Sequence, residues 1–500
     1  MKTCQALYQA GLPYLLGLPL ILAVHEPHRK FNEDFRQYIR FHPSHTRYIK
    51  VVSIYTYLDD ECIFDLLSLV LKDACHLETL EINLDIQEET RATLFAPHSS
   101  IPSLRYLSVA NLDVPERNML KTLTAPLNGL LLRFEPASDN DNLRNPIPLL
   151  RNFSDTLRYL MTTSASWTRQ ESGEITILPH LRILNMKNNG VPNSATIIRT
   201  FPNLSRFAIE ERISLDIEKL ALLRTSNVEG QHQFHGSGFK SWSGLEEVRA
   251  KDISILYALG LACKVDRLVV NYCSSSLLKE TQIVLSDMRP TILNIHFSSD
   301  AFLGDPVEYM EHMFAYGELT HLTLELFFVE SNTVGKMDCG ILRAIEIIQH
   351  ATKLEYLNLS VMWARPYRRS AYLRNILREA ARIRRAKAGE YVDEDSDSDD
   401  PKPPDPMGEH VDALDHKAIA TRIFDVLEFL QVVVLNFQPV EEDPKTLTRG
   451  WRVMKRAARS KEEAANVHDI AELREISAEE CRRLDESFGH DDDDFYFTAC

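Results

Sequence analysis

The chain has 500 residues, of which 44% are hydrophobic and 26% charged, values that exclude a chain that is disordered, collagenous or membrane-embedded throughout. Its length favours several domains or one repetitive array. The formal charge of −16 argues against a general nucleic-acid binder, because contacts with phosphates require a basic surface. Residues 391–500 hold 28 acidic and 13 basic residues, so nearly all of the negative charge lies at the C-terminal end. We therefore predict no nucleic-acid partner.

The apolar run Leu12–Val24 is the only segment that resembles a membrane anchor. It is shorter than the about 20 residues that a spanning helix needs, it contains Pro13 and Pro19, and it lacks a small-x-small cleavage motif. We therefore predict no membrane partner.

Cysteine spacing bears on the compartment. All eight cysteines lie ten or more residues apart, which excludes the short spacing of zinc and thioredoxin-like sites. We predict free, buried thiols in the reducing environment of the cytoplasm or nucleus. The cysteines are Cys4, Cys62, Cys75, Cys263, Cys273, Cys339, Cys481 and Cys500.

A recurring Leu-x-x-Leu-x-Leu phrase is the strongest regularity of the chain. Its last two apolar residues alternate as in a β-strand, and successive clear copies mostly start 20 to 35 residues apart, the period of a leucine-rich repeat. Clear copies start at Leu77, Leu104, Leu127, Leu157, Leu181, Leu204, Leu245, Val265, Leu319 and Leu354, and weaker ones at Tyr48, Thr291 and Leu430. Each copy predicts one strand.

Segments with helical spacing lie between the phrases. Apolar residues recur every 3.6 residues in the stretches that begin at Asp59, Ile341 and Ala418. A strand followed by a helix, repeated many times, predicts an α/β solenoid, a curved parallel sheet backed by helices.

This pattern resembles a leucine-rich-repeat domain of the helix-backed type, which we place at residues 25–439. The family's ladder position, which carries asparagine or cysteine, is filled as expected at Asn189 and Cys273. It is filled otherwise at Asp85, Leu112, Arg212, Phe327 and Met362. At those turns the backbone must find other hydrogen-bond partners.

The first 24 residues resemble the distal part of an F-box as it joins a repeat domain in fungal F-box proteins. The resemblance is carried by Cys4, Leu7, Tyr8, Gly11, Pro13, Leu15 and Leu16. It implies that Leu7, Tyr8, Leu12, Leu15 and Leu16 contact a Skp-type adaptor of a cullin ubiquitin ligase. The Leu-Pro-x-Glu start of an F-box is absent from the sequence, so a shortened gene model and a receptor without its adaptor handle both stay open.

A basic segment and an acidic one follow each other near the C-terminus. Residues Arg365–Lys387 contain nine basic residues and one acid at helical spacing. Two interpretations stay open, a docking helix for an acidic partner or RNA and a solvated outer helix. The acidic insert at about 388–411 is predicted to be disordered, and phosphorylation of Ser396 would strengthen its attraction to the arginines.

Residues 440–500 are predicted to form an acidic C-terminal tail. Short helices are predicted around Trp451–Ser460 and Glu462–Leu473, followed by a solvated acidic cluster at Asp491–Asp494.

Motifs for catalysis and cofactor binding are missing from the sequence. It contains no phosphate-binding loop, dinucleotide-binding turn, nucleophile elbow or zinc-protease helix. Three His-x-x-His pairs, His25 with His28, His42 with His45 and His232 with His235, are interpreted as loop histidines and not as metal ligands. We predict no enzyme, cofactor or metal site.

The function predicted from the sequence is recognition of a protein partner, as in the substrate receptor of a Skp–cullin–F-box ligase. An adaptor-independent scaffold or inhibitor is the alternative. The predicted partner-facing residues lie between the leucines of the repeats, namely Arg105, Tyr106, Arg158, Arg182, Arg206, Glu246, His321 and Glu355.

Overall fold

The computed structural model forms two compact units, which divide between Val265 and Asp266. The structure describes residues 10–23, 28–56, 61–73, 75–84, 101–135, 144–167, 176–211, 215–235, 242–298, 300–303, 312–328, 334–363, 406–439, 447–454 and 472–487. Sixteen strands take part in sheet pairing, in the order in which they occur in the chain. The fold class is therefore α/β with a mostly parallel sheet, and the curvature expected from the sequence stays a prediction.

The first unit contains nine strands, each parallel to the next. The strands are β1 (Leu20–Ala23), β2 (Val51–Thr56), β3 (Thr79–Leu84), β4 (Tyr106–Leu112), β5 (Gly129–Phe134), β6 (Tyr159–Thr163), β7 (Ile183–Lys187), β8 (Arg206–Glu210) and β9 (Gly244–Ala250). The helices are α1 (residues 10–16), α2 (His28–Phe41), α3 (Glu61–Asp73), α4 (Val114–Thr122), α5 (Ile147–Leu150), α6 (Ser194–Thr200), α7 (Ile217–His235) and α8 (Ile253–Leu259).

The second unit begins with five parallel strands and ends with two antiparallel ones. The strands are β10 (Lys264–Cys273), β11 (Ile292–Ser298), β12 (His321–Phe328), β13 (Tyr356–Trp363), β14 (Val432–Pro439), β15 (Leu447–Met454) and β16 (Glu472–Ile476). The helices are α9 (Leu278–Met288), α10 (Asp300–Leu303), α11 (Val334–Ile348), α12 (Pro406–Ala413), α13 (His416–Val426) and α14 (Ala478–Ser487).

Alternation of apolar and polar residues explains why the leucine phrases form strands. In β12 the side chains of Leu322, Leu324 and Leu326 are completely buried, whereas those of His321 and Thr323 are half-buried. Successive side chains of a strand point to opposite sides of the sheet, so one side of each strand packs in the core and the other is the strand face. Every predicted phrase, clear or weak, coincides with a strand.

A shared backbone hydrogen-bond pattern marks the starts of strands β2 to β8 and β11 to β13. The carbonyl of Arg105, the residue before β4, accepts N–H bonds from both Asn128 and Gly129 of the next repeat, at 2.7 and 3.0 Å. The same doubled bond recurs at the carbonyls of Lys50, Glu78, Asn128, Arg158, Arg182 and Ser205 in the first unit, and of Thr291, Thr320 and Glu355 in the second. A carbonyl has two lone pairs and can accept both bonds. The repeats are therefore aligned to the residue at their amino ends.

The two residues at the expected ladder position behave differently. Asn189 bonds to the preceding repeat, because its Nδ2 donates to the carbonyl of Thr162 at 3.2 Å and its Oδ1 accepts from the N–H of Ala165. The Asn189 amide thus satisfies backbone groups at a turn where Ser164 has a φ of 57°. The buried thiol of Cys273 instead lies 2.9 Å from Thr281 Oγ1 in α9, within its own repeat.

Several sequence-based expectations are wrong. Strand β1 lies within residues 1–24, the segment that resembles the distal, helical part of an F-box, and α12 begins at Pro406, before the expected end of the disordered insert at about residue 411. The helix predicted from Trp451 is wrong because residues Leu447–Met454 form β15, and the one predicted up to Leu473 is wrong at its end because β16 starts at Glu472. These two strands extend the sheet beyond the predicted end of the repeats at residue 439.

Helix α14 packs on the strand face of the second unit. Cys481 and Ile476 are buried in one cluster with Tyr356, Val432 and Val434, three residues of β13 and β14. This packing requires glycine in β15, because a Cβ on Gly450 would lie 2.5 Å from Cys481 Sγ and 2.7 Å from Ile476 Cγ1.

Truncation of a strand leucine tests the core. We expect Leu357→Ala, which empties a completely buried site, to cost about 2 to 5 kcal/mol of unfolding free energy, measured by urea denaturation. Leu342→Ala, at a position in α11 that is 37% exposed, should change it by no more than about 0.5 kcal/mol. Equal effects of the two changes would contradict the assignment of Leu357 to the core.

Alanine substitution of Gly450 tests the packing of α14. We expect Gly450→Ala to push Cys481 out of its site, because the new methyl group and the thiol cannot occupy the same space. The Cys481 thiol, which is buried in the folded protein, should then react with a maleimide, as detected by peptide mass spectrometry. Gly244→Ala is the matched control, since a Cβ there meets only the carbonyl of Lys264 at 3.4 Å. A Cys481 that stays protected in Gly450→Ala would show that the contact is looser than described.

Candidate recognition surface

The strand face of the first unit is the main candidate surface, and the register of the parallel strands arranges its side chains in rows. The first row runs across the strands through Thr79, Tyr106, Gly129, Tyr159 and Ile183. Because parallel strands lie about 4.8 Å apart, residues of one row are immediate neighbours. A partner that lies across the strands would therefore meet side chains from many repeats.

The centre of this face is apolar and aromatic. Tyr106, Tyr159 and Ile183 in the first row, with Leu131 and Met161 in the second, are all half-buried. The Tyr159 hydroxyl lies 3.6 Å from Met161 Sδ. Aromatic residues and methionine are enriched at the centres of protein interfaces, so the composition of this patch favours a protein partner.

Two pairs of charged side chains lie on the strands that follow the apolar centre. On β7 and β8, Lys187 Nζ lies 3.1 Å from Glu210 Oε2. On β9, Arg249 Nε lies 2.7 Å from Glu247 Oε1. Pairing holds these long side chains in place, so this part of the face has a defined shape.

Tyr55 and Glu81 form a further polar contact on the strands β2 and β3. Burial, together with a hydrogen bond to the Glu81 carboxylate and its negative charge, raises the pKa of Tyr55 to about 12, because each of these disfavours the phenolate. The Ser53 side chain and the positive charge of Arg133 oppose this shift. The Tyr55 hydroxyl is therefore a hydrogen-bond donor at neutral pH.

The strand face of the second unit contains two histidines. His296 Nδ1 lies 3.5 Å from Glu325 Oε2. His321 Nδ1 lies 2.7 Å from Thr320 Oγ1. The His321 ring also stacks on Tyr356, with ring centroids 5.9 Å apart. Burial lowers the pKa of His321, although the charge of Glu355 opposes this effect.

The predicted partner-facing residues lie at the amino ends of the strands. Tyr106, Arg206 and His321 are the first residues of β4, β8 and β12. Glu246 is the third residue of β9 and is exposed. The other four come one residue before a strand and are exposed, except for Arg105, which is half-buried. These four are Arg105, Arg158, Arg182 and Glu355. The structure thus brings the predicted residues of the first unit to one edge of its strand face.

The other residues of that face were not predicted from the sequence. Tyr55, Glu81, Leu131, Arg133 and Lys187 lie two or four residues beyond the first strand position. Counting in steps of two from the first residue of each strand would have found them.

The residues predicted to contact an adaptor are unequally exposed. Leu7 and Tyr8 lie outside the described residues. Leu12 is buried and Leu16 half-buried, whereas Leu15 is 62% exposed. Tyr14 and Leu18 beside it are also exposed, so an apolar patch surrounds Leu15.

Other predicted features of the C-terminal half lie outside the described residues. They include Ser396, the basic segment Arg365–Lys387 and the acidic insert from residue 388 to residue 405.

Two of the three histidine pairs are fully or partly described. His42 and His45 stack with ring centroids 5.0 Å apart, and the Tyr38 hydroxyl lies 2.7 Å from His45 Nδ1. The loop predicted for His232 and His235 is wrong, because both belong to helix α7. In the described part of the chain, no group of three or more His, Cys, Asp or Glu side chains is placed to bind a metal ion.

Five cysteines can be compared with the prediction of free, buried thiols. All five are free, and Cys263, Cys273 and Cys481 are buried. The prediction is wrong for Cys75 and Cys339, which are exposed. Burial raises the pKa of Cys263 to about 12, which keeps this thiol protonated.

The chain matches no known protein-family model, and a search of curated proteins found no similar protein. Across the described ranges, no helix combines the length and apolar character needed to cross a bilayer.

Removal of the Glu81 charge tests the polar contact on this face. We expect Glu81→Gln to lower the pKa of Tyr55 from about 12 towards its ordinary value of about 10, as followed by NMR titration of the tyrosine ring carbons. Glu78→Gln is the control: it removes a neighbouring exposed carboxylate and should leave the pKa of Tyr55 unchanged.

The same contact predicts how stability depends on pH. A raised pKa in the folded state stabilises the protein below pH 10, and this contribution is lost as the pH rises through about 12. Between pH 10 and about 12, the free energy of unfolding should therefore fall less steeply with rising pH in Tyr55→Phe than in the wild type. Parallel curves for the two proteins would contradict the assignment.

Proposed function

We propose that the chain is a protein-recognition module, a leucine-rich-repeat solenoid whose strand face binds a protein partner. We further propose that it acts as the substrate receptor of a Skp–cullin–F-box ubiquitin ligase. The strand face of the first unit carries the proposal, because its half-buried aromatic and apolar centre lies in fixed rows across neighbouring strands.

The repeat assignment is supported by the doubled hydrogen bonds at the strand starts. Seven successive repeats of the first unit share this pattern, although their leucine phrases are separated by segments of different length. The amide of Asn189, which bonds to the backbone of the preceding repeat, supports the family resemblance at one turn.

The receptor role is supported by the apolar patch around Leu15. Exposed apolar groups that lie close together favour a protein contact, and Tyr14, Leu15 and Leu18 are each more than half exposed.

An adaptor-independent scaffold or inhibitor is the second candidate. The burial of Leu12 favours it, since a side chain inside the fold offers little surface to an adaptor. This candidate uses the same strand face and needs no contact at α1.

Affinity purification of tagged full-length protein from its native cells tests both candidates. We expect Leu131→Asp to reduce recovery of the substrate about tenfold or more, because a carboxylate would be buried without a partner at the centre of the interface. Leu222→Asp is the matched control, since it makes the same change at a position in α7 that is 71% exposed. Retention of every bound protein by Leu131→Asp would rule out this face as the binding surface.

A second variant separates the receptor from the scaffold. If the chain is a receptor, a Skp-type adaptor and a cullin should accompany the wild type, and Leu15→Asp should lose both while it keeps the substrate. If the wild type recovers the strand-face partner without adaptor or cullin, the scaffold is correct.

A further inference from the structure

A row of positions just before the strands of the first unit is aligned by the doubled carbonyl bonds. The carbonyl of Arg105 bonds to Asn128, that of Asn128 to Arg158, that of Arg158 to Arg182 and that of Arg182 to Ser205. These residues therefore occupy equivalent positions in five successive repeats. Three of the five are arginines.

The three arginines carry charge that the described residues do not neutralise. The guanidinium of Arg105 donates to the carbonyls of Pro102 and Leu104 at 3.0 and 3.2 Å, and that of Arg182 to the carbonyl of Asn203 at 2.8 Å. Arg158 is exposed. None of the three forms an ion pair with a described carboxylate, whereas Lys187 and Arg249 on the same face do.

An ion pair lies at each end of the row. Lys50 Nζ lies 3.0 Å from Glu78 Oε1 at one end, and Arg206 Nε lies 3.7 Å from Glu246 Oε2 at the other. The uncompensated charge is thus confined to the repeats of β4 to β7. With strands about 4.8 Å apart, Arg105 and Arg158 are separated by about 10 Å and Arg158 and Arg182 by about 5 Å along the row.

The apolar centre of the strand face borders this row. Tyr106, Tyr159 and Ile183 each directly follow one of the three arginines, and Leu131 and Met161 lie one row further along the strands. A ligand would therefore meet positive charge along one edge and apolar surface beside it.

We propose that Arg105, Arg158 and Arg182 bind an acidic peptide segment of the partner, with apolar side chains of that segment packed on Tyr106, Tyr159 and Met161. Guanidinium groups bind carboxylates through paired hydrogen bonds. In an extended peptide alternate side chains point in opposite directions, so one set reaches the arginines while the other lies on the apolar centre. This inference rests on the proposed function and specifies the chemistry of its substrate.

A protein segment fits this surface better than a nucleic acid. The positive row spans only four strands and ends at paired carboxylates, including Glu78 and Glu246. A nucleic-acid backbone carries regularly spaced phosphates and is usually bound by a longer basic surface. The formal charge of −16 also opposes the approach of a long polyanion.

Selection of peptides from a random library displayed on phage tests the proposal with the full-length protein. We expect the binders to be enriched in Asp and Glu next to Leu, Phe or Tyr, compared with the unselected library. One selected peptide, labelled with fluorescein, should bind about tenfold more weakly to the variant R105Q/R158Q/R182Q, as measured by anisotropy. Added NaCl should weaken binding to the wild type, because the contacts are exposed ion pairs.

The control variant R422Q/R449Q/R474Q removes the same charge from three exposed positions of the second unit and should bind like the wild type. Equal weakening in both variants would mean that net charge alone attracts the peptide, and would overturn the site. Labelled polyuridylate is the comparison probe. If it binds more tightly than every selected peptide and is lost in R105Q/R158Q/R182Q, the row binds phosphates and the peptide proposal is wrong.

The same experiments separate this inference from the proposed function. If Leu131→Asp loses the cellular partner but the selected peptides show no acidic enrichment, recognition by the strand face stands and the acidic ligand is wrong. If Leu131→Asp keeps every partner and the peptides show no acidic enrichment, both proposals fail.

Discussion

The doubled hydrogen bond at the starts of strands β2 to β8 is the interaction on which the described surface depends. One carbonyl binds two successive N–H groups of the next repeat, and this occurs at seven successive strand starts in the first unit. A shift of one residue would turn every leucine of that strand from the core to the opposite side. Register and core packing therefore reinforce each other, and together they place Tyr106, Tyr159 and Ile183 side by side.

The strands could be predicted from the sequence because burial on one side imposes a two-residue period. Leu322, Leu324 and Leu326 show this period directly. The recognition surface was predicted only at its edge, since the residues after Leu in each phrase were chosen and those further along each strand were not. Tyr55 and Glu81 belong to neighbouring repeats that are separated in sequence by helix α3, and their contact follows from the pairing of β2 with β3, which the sequence alone does not show.

The C-terminal strands show where local pattern failed. The segment from Leu447 is rich in basic residues, and these favour a helix as much as a strand. Its strand is stabilised by antiparallel pairing with β14 and by the space that Gly450 leaves for Cys481. Both contacts are tertiary, so propensity alone could not reveal them. The net charge did not predict the row of three arginines either. A chain that is acidic overall can still carry a basic row where residues from separate repeats align.

The last described strand of the second unit bears on self-association. A sheet edge with unpaired backbone groups is a template on which another molecule can add a strand. Strand β16 has five residues, and its exposed residues Arg474 and Glu475 are charged. Growth of the sheet into a fibril from this edge would require these charges to be stacked and dehydrated. The short, charged terminus of the strand array therefore protects the second unit from edge-to-edge aggregation.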